Sequence, residues 1–84
     1  MPDIQQALAS QLVTFVQEVR KIDLRKAPSI SETIDWARSL VILGARALDP
    51  ALVQDTLGLL LKHEDDRLKV GVKTRQILEA AQRR

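Results

Sequence analysis

The side chains able to do chemistry in this sequence gather in a few places. Glu32 and Asp35 stand three residues apart and next to the only tryptophan, Trp36. On a helix that spacing puts both carboxylates on similar faces, an arrangement that general acid and base catalysis or metal binding can use. Catalysis would need surroundings that drive the two pKa values apart, and a metal would need further ligands. The competing reading asks for less, because acidic residues in the first turn of a helix are favoured by the helix dipole alone. His63 is the only histidine and no cysteine accompanies it. A zinc site there would have to recruit Glu64, Asp65 and Asp66, which are adjacent in sequence and cannot all converge on a helical imidazole. The sequence favours a surface histidine near a helix end. Serines at 10, 29, 31 and 39 lack a glycine-flanked elbow, and Gly44, Gly58 and Gly71 stand alone, so neither a hydrolase nor a phosphate-cradling loop is signalled. No metal site and no catalytic residue is expected. A basic stretch, Arg20, Lys21, Arg25 and Lys26 against Asp23, offers cations for phosphates but no interleaved aromatic to stack a base.

The elements that must position these groups read as helices. Ile4, Leu8, Leu12, Phe15, Val19 and Ile22 recur at steps of three and four, predicting a first helix over about 3–21, with Pro2 before it and Asp3 as its cap. The period is lost over 20–30, a basic connector that runs into Pro28. Ser29 followed by Glu32 matches the capping box that opens a second helix, with Ser31 as a competing cap. Ile34, Ala37 and Val41 line one face of that helix and Trp36, Leu40 and Leu43 its neighbour, giving a wide apolar arc that suits packing or an interface. Gly44 ends it. Asp49 and Pro50 open a third helix to about Lys62, with Leu52, Val53, Thr56, Leu57, Leu60 and Leu61 at helical spacing and Lys62 and His63 in its last turn. Val70, Thr74, Ile77 and Ala81 predict a fourth helix over about 66–82, weakened by Gly71, with a short extended entry before Thr74 as the alternative.

Composition agrees with helices packed on helices. The chain is 45% hydrophobic but only 2% aromatic, so Leu, Val, Ile and Ala must fill one small core without help from a disulfide. The expected class is all-α, a small four-helix bundle in a single domain over 1–84. Apolar runs such as 40–43 and 59–61 fall far short of the roughly 20 residues that span a bilayer. MPDIQQALAS carries no basic or apolar leader region, so a cytoplasmic protein without a membrane partner is expected. Thirteen Lys and Arg against eleven Asp and Glu leave a net charge of +2, which demands no nucleic acid. A helix-turn-helix reading fares no better, since the third helix offers only Gln54 and Lys62 for recognition.

The run DLRKAPSISETIDWARSL, 23–40, resembles the C-terminal helical lid of MoxR-type AAA+ ATPases, and LGARALDPALVQDTLGLLLKHEDD, 43–66, resembles the close of the same lid. The resemblance covers about 4–66 and leaves 67–84 as an additional helix or tail. It implies an N-terminal α/β core carrying the Walker A, Walker B and arginine-finger residues, with ATP and Mg2+ bound there, so that this chain is a lid separated from its core or a truncated relative. It also implies neighbouring subunits of a ring and chaperone-like remodelling, often with von Willebrand factor A-type proteins. The second helix of such a lid starts near the phosphates, which makes Arg25, Lys26, Ser31 and Thr33 the nucleotide-proximal residues. Many members place a phosphate-sensing arginine at that start. Here the corresponding residues are Ser31, Glu32 and Thr33, and Arg25, Lys26 or Arg38 would replace the arginine only by a different geometry. The alternative function is a freestanding helical protein-interaction domain that buries the broad arc of the second helix.

Overall fold

The second and third helices begin where their cap residues stand. The computed structural model describes residues 6–82, with side chains described as far as residue 80. It contains α1 (Gln6–Val19), α2 (Ile30–Ile42), α3 (Pro50–Leu60) and α4 (Glu64–Gln82), and no strand among the described residues. The expected cap at Asp3 and the stripe position Ile4 lie outside the described residues, as does the side chain of Ala81. At α2 the choice between Ser29 and Ser31 falls on Ser29. Its hydroxyl accepts the Glu32 N–H at 3.1 Å while the Glu32 carboxylate accepts the Ser29 N–H at 2.9 Å, a complete capping box. Ser29→Ala is expected to cost about 0.5–2 kcal/mol, read as a lower urea midpoint with an unchanged slope.

The helix ends are equally specific. Gly44 takes φ +76 after α2, a left-handed conformation that a side chain would strain. Asp49 caps α3 by accepting the Leu52 N–H at 2.9 Å, with Pro50 at the first helical position. α3 stops at Leu60, two residues earlier than the periodicity suggests, because Leu61 turns to extended backbone to bury its side chain. Lys62 and His63 therefore occupy the α3–α4 connection and not a helical last turn. The carbonyl of His63 accepts the Arg67 N–H at 3.0 Å, so the histidine opens α4, which starts at Glu64. No extended entry precedes Thr74. Gly71 lies inside the helix, where a Cβ would come within 3.2 Å of Gln54 Oε1 and where Gln54 Nε2 donates to its carbonyl at 2.8 Å. The glycine that weakens α4 by propensity thus lets α3 approach it closely.

The helices follow one another round a four-helix bundle. α2 packs on α3, α3 on α4, and α4 closes on α1, while α1 and α2 meet more thinly. The Cα radius of gyration is 11.6 Å, close to the roughly 12 Å expected for a compact domain of this length. Phe15, Val19, Trp36, Leu40, Leu48, Val53, Leu60, Leu61 and Val70 form the fully buried centre. Each such side chain contributes about 1.5–3 kcal/mol through its removal from water. Trp36 sits at the middle of this core, its ring centroid 5.4 Å from that of Phe15 at a tilted 45°. Its indole Nε1–H donates to Thr56 Oγ1 at 2.8 Å, and that hydroxyl donates onward to the Leu52 carbonyl at 2.8 Å.

Candidate functional site

The residues singled out by chemistry separate in the fold. Glu32 and Asp35 do not form a pair, since Glu32 is buried in the capping box while Asp35 is exposed. Trp36 and Leu40 are fully buried and belong to the core, whereas Leu43, grouped with them by spacing, is 63% exposed at the end of α2. The wide apolar arc is covered only in part: Ala37 is buried, Ile34 half so, and Ile30 and Ile42 face outward. Ile30, Ile34 and Thr33 join Val13, Val16 and Arg20 around an open groove of about 280 Å³ between α1 and α2.

What the fold does bring together is the basic connector, the start of α2 and the α3–α4 connection. Lys26 Nζ, from the connector, lies 3.8 Å from Glu32 Oε2, and Lys62 Nζ approaches the same oxygen at 3.7 Å. The remaining oxygen, Oε1, is taken by the Ser29 N–H. That backbone N–H is the chief reason the Glu32 carboxyl is held below its ordinary value. Burial pushes the other way, and the Ser29 hydroxyl and the two ammonium groups add to the lowering. Ser31 and Thr33 stand on this same first turn, Ser31 exposed and Thr33 half-buried with its hydroxyl donating to the Ser29 carbonyl at 2.8 Å. Lys26, Ser31 and Thr33 are thus brought to one turn, with Arg25 beside Lys26 in the chain. The side chains of Arg25 and Lys26 are 66% and 55% exposed, so their charges face solvent. Arg38 is exposed on a later turn of α2, one step from the turn that carries the cluster.

Beneath the connector lies a residue with no assigned role in the sequence reading. Asp66, in the first turn of α4, has no exposed surface. Its Oδ1 accepts the Arg25 N–H at 2.8 Å and its Oδ2 accepts the Lys26 N–H at 3.1 Å. Burial pushes the Asp66 carboxyl up, but these backbone donors, together with the positive charges of His63 and Lys69, outweigh it and hold the carboxyl below its ordinary value. Neighbouring Asp65 makes only an exposed pair with Arg25 at 3.6 Å. A signal for Asp66 exists in the sequence: it stands four residues before Val70 on the stripe of Val70, Thr74 and Ile77, and so occupies an inward position of α4. His63 is exposed, and among the described residues no group of three or more His, Cys, Asp or Glu side chains is placed to hold a metal.

No protein-family model matches the chain, and neither does any curated protein or solved structure. The arrangement brings Lys26 and Lys62 to one capped helix start, where both pair with Glu32, and sets Arg25 against Asp65. The capping box and the two lysines leave the Glu32 carboxylate as the anion held at this helix start. Among the described residues no helix is long and apolar enough to cross a membrane.

Proposed function

We propose that the chain is the C-terminal lid of a MoxR-like AAA+ ATPase, helping to close a nucleotide site and to couple ATP hydrolysis to chaperone-like remodelling. The observation that carries this reading is the resemblance of the run 23–40 to that lid, at a place where the basic connector meets the capped start of α2. In this reading Arg25 and Lys26 approach the phosphates from the side of the connector, and Ser31 and Thr33 from the first turn of α2. Glu32 occupies the place of a sensing arginine and turns its carboxylate inward to Ser29, Lys26 and Lys62. ATP and Mg2+ belong to the α/β core, whose Walker residues would supply the phosphate cradle and the metal ligands. This chain supplies cations and a docking surface, and by itself no catalysis. The open apolar groove bordered by Val13, Ile30 and Ile34 lies next to the connector and suits packing against that core. Neighbouring subunits of a ring, a von Willebrand factor A-type protein and a cytoplasmic setting follow from the same reading.

The same groove favours a second reading, a freestanding helical protein-interaction domain that covers Ile30 and Ile34 with a partner. One experiment separates the two. The gene is read upstream of the Met1 codon, and ATP binding is measured on its whole product and on the 84-residue chain. The lid reading expects a Walker A motif in frame a few hundred residues upstream, ATP binding by the whole product and none by the chain alone. An in-frame stop codon with no ATPase sequence before it overturns the lid and leaves the interaction domain.

A further inference from the structure

We infer that Asp66 is a positioning residue that seats the basic connector on α4, so that the placement of α4 sets where Arg25 and Lys26 carry their charges beside the start of α2. The connector between α1 and α2 has no helix or strand of its own, so its shape depends on whatever satisfies its backbone. Several of its anchors come from the beginning of α4. Asp66 accepts the two successive N–H groups of Arg25 and Lys26 across 41 and 40 residues of sequence. Lys69, one turn further along, donates to the Asp23 carbonyl at 2.7 Å, and Asp65 pairs with the Arg25 guanidinium. The end of α1 contributes a separate tie, from Arg20 Nη2 to the Pro28 carbonyl at 2.8 Å.

A carboxylate is the side chain that this geometry needs. Two adjacent N–H groups point at one buried position, and the carboxylate meets each with its own oxygen, whereas an amide there would offer one oxygen and turn an NH2 donor toward the other N–H. Lys26 is then held twice, by its backbone on Asp66 and by its ammonium near Glu32, which links α4 through the connector to the start of α2. A partner that shifts the first turns of α4 moves the exposed cations with them, and by reciprocity a ligand that draws on those cations is felt at α4. The coupling is a property of the folded chain alone. Its bearing on nucleotide rests on the lid reading.

The test uses the 15N-labelled chain without nucleotide, so its failure is separate from a failure of the lid reading, which the reading frame and ATP binding decide. Asp66→Asn is compared with Asp65→Asn, which removes the same charge from the adjacent exposed position. Hydrogen exchange at the Arg25 and Lys26 amides is expected to be about tenfold to a hundredfold faster in D66N than in D65N, with the Trp36 indole resonance unmoved. In the wild-type chain, whether or not D66N folds, acid titration is expected to move both amide protons with the midpoint of the Asp66 carboxyl carbon and not that of Asp65. Equal exchange in the two folded variants, or amide shifts that ignore the Asp66 titration, overturns the inference.

Discussion

Trp36→Ala is expected to remove about 3–5 kcal/mol of stability, from the loss of a large buried ring and the cavity it leaves. A domain of this length has a total of only about 4–13 kcal/mol, so the loss is a large part of the whole, read as a much lower urea midpoint and, where the total is near the low end, as lost helical circular dichroism. The ring is fully buried between Phe15 and the α3 side of the core, where the bundle has nothing else of that volume. The hydrogen bond to Thr56 is separable from the packing. Trp36→Phe keeps much of the ring and leaves Thr56 still donating to the Leu52 carbonyl, so it is expected to lose less than half as much. Thr56→Val leaves a buried indole N–H without an acceptor, at about 1–3 kcal/mol. The double variant W36F/T56V has no orphaned donor and is expected to be more stable than the sum of the single losses by about 1 kcal/mol. Strict additivity in the denaturation midpoints would show that the Trp36–Thr56 bond contributes nothing to the fold.

This contrast between ring and hydroxyl bears on what could be read in the sequence. Helix period, the capping box at Ser29 and Glu32, the Asp49–Pro50 start and the Gly44 stop are local signals. They depend on residues within a turn of one another, and the bundle places each of them as its spacing suggests. The partner of the Trp36 indole is of another kind, because Thr56 stands 20 residues away and its hydroxyl reads as one more position of a helix stripe. Leu43, grouped with Trp36 and Leu40 by spacing for packing or an interface, lies outside the core for a similar reason, because it falls on the C-cap of α2 and is exposed. The end of α3 moved because Leu61, whose N–H still bonds the Leu57 carbonyl, turns to extended backbone with its side chain buried. At the basic connector the sequence showed which cations are present and not what holds them. Arg25 and Lys26 gain their setting from Asp66 and Glu32, carboxylates whose local role as first-turn residues hides their long-range one.

Those two carboxylates set the expected response to acid. Glu32 and Asp66 both have folded-state pKa values below their ordinary values of 4.5 and 3.8, so the unfolded chain binds more protons than the folded one as the pH falls through that range. The stabilisation is therefore fully present above the ordinary values and is lost as the pH drops through them toward the lower, folded values. The melting temperature is expected to be flat from pH 7 to about 5 and to fall steeply below about 4.5. The groups facing Glu32 are Ser29, Lys26 and Lys62, and those facing Asp66 are the connector N–H groups, His63, Lys69 and the adjacent Asp65. General repulsion among thirteen Lys and Arg side chains also grows as the acids neutralise, in the variants as in the wild type. Glu32→Gln keeps an acceptor for the Ser29 N–H and is expected to lower stability mildly at pH 7 while reducing the acid slope. Asp66→Asn leaves one connector amide without its acceptor and is expected to lower stability more, and in E32Q/D66N most of the slope below pH 4.5 disappears. A double variant that keeps the wild-type slope would mean that other carboxylates hold the acid transition and that neither buried carboxyl is held below its ordinary value.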